Sequence, residues 1–233
     1  MKATTPLGRI VPTRAAALKV TLAALIASAG FTSAATFLTT ITLSNITGNN
    51  GNLTGLTMDV YKVDNNTLLF SAINSTGDSA AIDLVYFDDG GGLFSSMSFS
   101  SSDSFDTVEF TAGGLPTQPP GTNGVGQPSF NVDFRFESIA SVNPSPPPPN
   151  ITANTNRIST GEYGGFLATT NNPIGDNLDL SEFQVAYHVQ SIGTQGGSDT
   201  YLGQGPENIP VPEPAAATLG LAGALLLLRR RRI

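Results

Sequence analysis

The chain has no cysteine, which excludes a disulfide framework, a thiolate zinc site and a thiol nucleophile. Its single histidine, His188, rules out any metal site built from several imidazoles. Tryptophan is also missing, and five Tyr are few, which weakens a reading as a sugar-stacking module. Basic residues are scarce in the middle of the chain. Between Thr36 and Pro210 only Lys62, Arg135 and Arg157 face 17 acidic residues, a net charge of −14. Such a surface repels nucleic acid and anionic membrane faces, favours solubility and attracts divalent cations. No apolar run reaches the roughly 20 residues that a membrane-spanning helix needs.

What is present in their place is turn chemistry. The 25 Gly and 16 Pro, with abundant Ser, Thr and Asn, suit a turn-rich all-β protein better than a helical enzyme. A body of about 170 residues buries enough apolar surface to stand without covalent staples.

Period-two alternation dominates from Thr36 onward. In SFNVDFRFES, residues 129–138, Phe130, Val132, Phe134 and Phe136 face one way and Asn131, Asp133, Arg135 and Glu137 the other. EFQVAYHVQSI, 182–192, repeats the pattern with Phe183, Val185, Tyr187 and Val189. Weaker strands are expected at 37–44, 56–63, 67–73, 81–87, 93–99, 105–110 and 163–169, separated by turns such as TGNNGN and DDGGG. About nine short strands predict an antiparallel β-sandwich, jelly-roll-like, over 36–205. It is interrupted by Pro-rich loops at 111–128 and 141–150, the second a polyproline II spacer.

The two ends read as processing signals. Basic residues Lys2, Arg9, Arg14 and Lys19 precede about a dozen apolar residues, then Ser33-Ala34-Ala35. That is the layout of a signal peptide over 1–35, cleaved after Ala35. The chain closes with VPEPAAATLGLAGALLLLRRRRI. Residues 215–228 form a 14-residue apolar segment, about 21 Å as a helix against a hydrocarbon core of roughly 30 Å. The arginines 229–232 hold the extreme C-terminus on the cytoplasmic side.

Val211-Pro212-Glu213-Pro214, a short helix and the terminal cluster Arg229, Arg230, Arg231 and Arg232 together resemble the PEP-CTERM sorting signal of Gram-negative bacteria. The resemblance covers the linker and tail, 206–233. It implies recognition by exosortase, a membrane cysteine transpeptidase, with transient residence in the inner membrane. It also implies delivery to the cell surface or beyond, near exopolysaccharide and biofilm matrix. The stretch from His188 to Leu202 is similar to the closing strands of many such proteins. A simple tail anchor is the competing reading of the same residues.

Chemistry within the body is sparsely signalled. His188 sits on the polar side of its alternation, as an exposed or edge-packed residue would. Glu109, Glu137, Glu162 and Glu182 are the acids from which a glycan hydrolase would draw a carboxylate pair. Asp88 and Asp89 in FDDGGG, and Asp176, Asn177 and Asp179 in IGDNLDL, are oxygen donors beside Gly that suit a structural Ca²⁺. The same residues are ordinary turn formers. The expectation is a non-enzymatic surface or matrix protein, with a carbohydrate-binding sandwich as the alternative.

Overall fold

The computed structural model describes residues 35–212, apart from 49, 51, 78, 140–155 and 193–195. The expected signal peptide before Ala35, the spacer 141–150, the helix 215–228, Glu213, Pro214 and the arginines 229–232 lie outside the described residues. Within them the chain is all-β. Its strands are β1 (Thr36–Thr42), β2 (Ser44–Asn45), β3 (Leu56–Lys62), β4 (Thr67–Asn74), β5 (Ala81–Asp88), β6 (Phe94–Ser100) and β7 (Phe110–Ala112). There follow β8 (Phe134–Ser138), β9 (Ile158–Ser159), β10 (Glu162–Thr170), β11 (Asn177–Leu178), β12 (Gln184–Ile192), β13 (Gly197–Gln204) and β14 (Ile209–Pro210).

Two antiparallel sheets carry the body. The first has the order β1-β3-β4-β10-β6; the second has β2-β13-β12-β5-β8-β7, with β9 also pairing β5. A separate β11-β14 pair reaches past the expected boundary at 205. The antiparallel sandwich expected from the sequence is present, and in the middle of the chain β4, β5, β6 and β7 alternate between its sheets. Toward the ends, β1-β3-β4 and β12-β13 are neighbours within one sheet.

Alternation explains which faces meet. Leu56, Met58 and Val60 of β3, and Leu68, Phe70 and Ala72 of β4, point inward and are fully buried. Rings bridge the sheets. Phe166 of β10 lies 5.4 Å from Phe87 of β5 and 5.0 Å from Phe136 of β8, and Phe70 of β4 stacks on Phe183 at 5.0 Å. Each such ring, taken from water, contributes on the order of 1.5–3 kcal/mol, and edge-to-face contacts add to that. This shared aromatic core replaces the missing disulfides.

β5 is buried on both sides. Ile82, Val85 and Phe87 enter the main core, while Leu84 and Tyr86 join Phe130 and Ala186 in a second cluster on the outer face of the second sheet. Loop 113–128 helps to cover that cluster. The Tyr86 hydroxyl donates to the Pro116 carbonyl at 3.0 Å. Asn123 holds the Phe130 backbone twice, donating to its carbonyl at 2.7 Å and accepting from its amide at 2.9 Å.

Those bonds break the long alternation expected at 129–138. β8 begins only at Phe134, because the amide of Asn131 is taken by Asp88 and the Asp133 carboxylate accepts from the Asp89 amide. Phe130 and Val132 therefore pack outside the second sheet and Phe134 and Phe136 inside. They do not share a face. The strand expected at 105–110 is also mostly a turn, with the Val108 amide donating to the Phe105 carbonyl at 2.9 Å. Phe105 instead crosses the outside of the first sheet, its amide bonded to the Tyr163 carbonyl.

Candidate functional site

Three places concentrate polar or aromatic side chains. The first is the acidic loop end. Asp88 accepts from the amides of Gly90 and Asn131, and Asp89 from those of Gly91, Gly92 and Phe94. The three glycines all have positive φ, and a side chain on Gly90 would meet Glu182 at 2.5 Å, so DDGGG is a turn that only glycine can make. The two segments singled out for Ca²⁺ do meet. Asp89 and Asp179 line one open cleft of about 310 Å³ with Ser181 and Glu182.

Asp88, Asp176 and Asn177 do not line that cleft. The Asp176 carbonyl accepts from the Val211 amide at 2.9 Å, and Asn177 pairs with Pro210. Asp179 accepts from the Ser181 amide, and that bond lowers its carboxyl below the usual range. Asp133, across the loop, is raised by burial and then by the charges of Asp89 and Asp88. Among the described residues no group of three or more acidic or imidazole side chains is disposed to hold a metal.

The second place is His188. Its Nδ1 lies 2.8 Å from Oδ1 of Asp83, with the two side chains 13% and 2% exposed. The expectation of a solvated or edge residue is thus corrected: the imidazole is partnered and largely covered. The cause is a bulge. β12 pairs His188 with Leu84 but Val189 with Ile82, so Asp83 is the extra residue of β5 and its carboxylate turns toward the ring.

The third place is the outer face of the first sheet. Register sets it out in rows. Phe37, Tyr61, Leu69 and Leu167 lie side by side across β1, β3, β4 and β10. The next outward row holds Thr40, Asp59, Ser71 and Gly165, and the one after it Thr42, Thr57, Ile73 and Tyr163. Ser71, the small residue of the middle row on β4, leaves a groove of about 280 Å³ between Tyr61 and Tyr163, floored by Ser71 and Ile73 and ended by Glu162. Gly165 of the same row is covered by the Asp103 backbone. Each tyrosine is braced by an edge-on phenylalanine, Phe37 at 5.6 Å from Tyr61 and Phe105 at 6.2 Å from Tyr163.

Phe37, Phe105 and Tyr163 are 50%, 42% and 42% exposed. Asp59 accepts from the Thr40 hydroxyl at 2.6 Å and the Tyr61 hydroxyl at 3.3 Å. Burial first, and then the Asp59 charge, raises the Tyr61 phenol above its ordinary value. Tyr61 and Tyr163 occupy outward positions of their strands, and an aromatic at a solvent-side position was the one trace of this groove in the sequence.

Of the four glutamates considered for hydrolysis, Glu109 and Glu137 are diagonal neighbours in the β7-β8 ladder, and Glu162 and Glu182 lie elsewhere. Glu137 belongs to β8 opposite Leu84, Glu162 accepts from the Ser159 amide at 2.7 Å, Glu182 lines the acidic cleft, and Glu109 precedes β7. Of the sorting motif, Val211 packs partly against the core and Pro212 is exposed. No protein-family model, curated protein or solved structure matches this chain.

Proposed function

We propose that the protein is exported and delivered to the cell surface or extracellular matrix by an exosortase-recognised tail, and that it acts there without catalysis. The observation that carries this reading is the exit of the chain from the sandwich. The last strand pairing ends at Pro210, the Val211 amide is tied to Asp176, and Pro212 is exposed. Val211-Pro212-Glu213-Pro214 therefore starts directly after β14, the last described strand, so a cut beyond Pro212 removes none of the described strands. At the other end β1 starts at Thr36, and cleavage after Ala35 leaves that strand whole. Exopolysaccharide is the neighbourhood the tail implies.

Intact mass of the protein from its native cells tests the proposal. The expected species begins at Thr36 and lacks Arg229, Arg230, Arg231 and Arg232. A surface protein that retains the arginines overturns the sorting account in favour of a tail anchor. A second reading, a carbohydrate-binding module, draws on the groove of the first sheet.

A further inference from the structure

We propose that the groove between Tyr61 and Tyr163 binds an amino-sugar polysaccharide carrying free, protonated amines. The inference deepens the extracellular reading, on which it rests for access to such a polymer. The geometry suits an extended chain. Tyr61 and Tyr163 stand on β3 and β10, the two neighbours of β4, which puts them about 10 Å apart across the sheet. Their partners on β4, Leu69 and Ile73, are four residues apart in register, about 13 Å along the strand. The diagonal of roughly 16 Å is longer than a single sugar ring and matches a short run of linked rings crossing the face.

Chemistry decides among polymers. A pyranose offers an apolar face of C–H groups to an aromatic ring and a rim of hydroxyls to carboxylates and serines. Tyr61 and Tyr163 supply the rings, and their phenylalanine braces fix them without covering them. Glu162 lines the groove, and Asp59 stands beside it, in register with Ser71 but outside the lining. Each acid accepts one hydrogen bond at each of its two oxygens. Carboxylate oxygens have lone pairs beyond those bonds, so both acids still attract a cation. Lys62 belongs to the inward alternation of β3, so it does not offset them on this face. The whole body is acidic as well, at −14 between Thr36 and Pro210. A uronic-acid polymer is repelled, a neutral glycan gains only stacking, and an ammonium group gains carboxylate attraction and cation–π contact with the tyrosines.

The test titrates the full chain with three probes at mildly acidic pH: short glucosamine oligomers, the same oligomers fully N-acetylated, and oligogalacturonate. Absence of tryptophan lets tyrosine fluorescence report directly, with calorimetry alongside. Binding is expected for glucosamine oligomers, about tenfold weaker for the acetylated series, as loss of a cation–π contact predicts, and absent for oligogalacturonate. Tyr61→Ala, Tyr163→Ala and Asp59→Asn should each weaken glucosamine binding about tenfold or more at unchanged melting temperature. Tyr86→Phe, on the other sheet, should leave it unchanged.

Equal affinity in the alanine variants means that surface charge alone captures the oligomers, and overturns the proposal. Preference for the acetylated or acidic probe overturns it too. Mass analysis of the native protein is independent of this titration, so an uncleaved tail and an idle groove are distinguishable failures.

Discussion

The imidazole of His188 and the carboxylate of Asp83 meet at 2.8 Å across a bulge, and the acid is almost entirely shielded from water. A carboxylate in that position depends on its partner, since an unpaired buried charge is far costlier than a paired one. His188→Ala should therefore destabilise the protein by about 3 kcal/mol, and Asp83→Ala by a similar amount. The double substitution should cost clearly less than the sum of the two. Urea unfolding of the four proteins measures the coupling.

Asp199 fixes the first long loop. It is 2% exposed and accepts from the Thr47 hydroxyl at 2.8 Å, the Asn45 amide group at 3.1 Å and the Asn50 backbone at 2.8 Å. Asp199→Ala should cost about 3 kcal/mol, because charged acceptors are worth roughly 1.5–3 kcal/mol per bond and these donors would be left short. Faster hydrogen exchange at Asn50 and Leu53 should accompany the loss.

Asp133 gives the acidic loop end a pH signature. Burial, with Asp89 and Asp88 beside it, raises its carboxyl, so the folded chain keeps a proton that the unfolded chain has released. That contribution to stability is full below the ordinary value of 3.8 and is lost as pH rises through the raised folded value. Asp133→Asn still accepts the Asp89 amide and no longer titrates. Its stability relative to the parent should improve from acid toward neutral pH, read as urea midpoints across that range.

Tyr86 is fully buried on the outer side of β5 and spends its hydroxyl on Pro116. Tyr86→Phe should cost about 1 kcal/mol and loosen loop 113–128, with the core of the first sheet unaffected. Amide exchange at Asn123 and Phe130 would register the loosening; unchanged exchange would mean that other contacts fix the loop.

Calcium should change little. Asp88 and Asp89 already accept five backbone amides, so the turn is satisfied as it stands. Melts in millimolar Ca²⁺ and in EDTA should coincide. A ligand-dependent rise in melting temperature would instead show that Asp89 and Asp179 gather an ion across their cleft.

Strand identity was the most legible level, because burial and period-two alternation are local. The strand expected at 81–87 is β5, Ala81–Asp88, and its burial on both faces emerged only in the structure. The bulge at Asp83 was invisible, because it exists only in the register of β12 against β5. The failure at 129–138 has the same origin. The alternation is real as a pattern, yet Asn123 and Asp88 capture the backbone of Phe130 and Asn131 before a ladder can form. The groove was illegible for a related reason: Tyr61 and Tyr163 are about a hundred residues apart, and only the register of β4 with both neighbours sets them facing one trough.

The short ladder joining Asn45 and Ser44 to Tyr201 and Leu202 has a consequence for the order of events. It closes a span of 156 residues, so the second sheet cannot be completed until nearly the whole domain has left the ribosome. Contacts of that separation make folding slow. Under the proposed export, a chain that sets slowly would stay extended enough to be threaded through a membrane channel and would close into a sandwich on the far side.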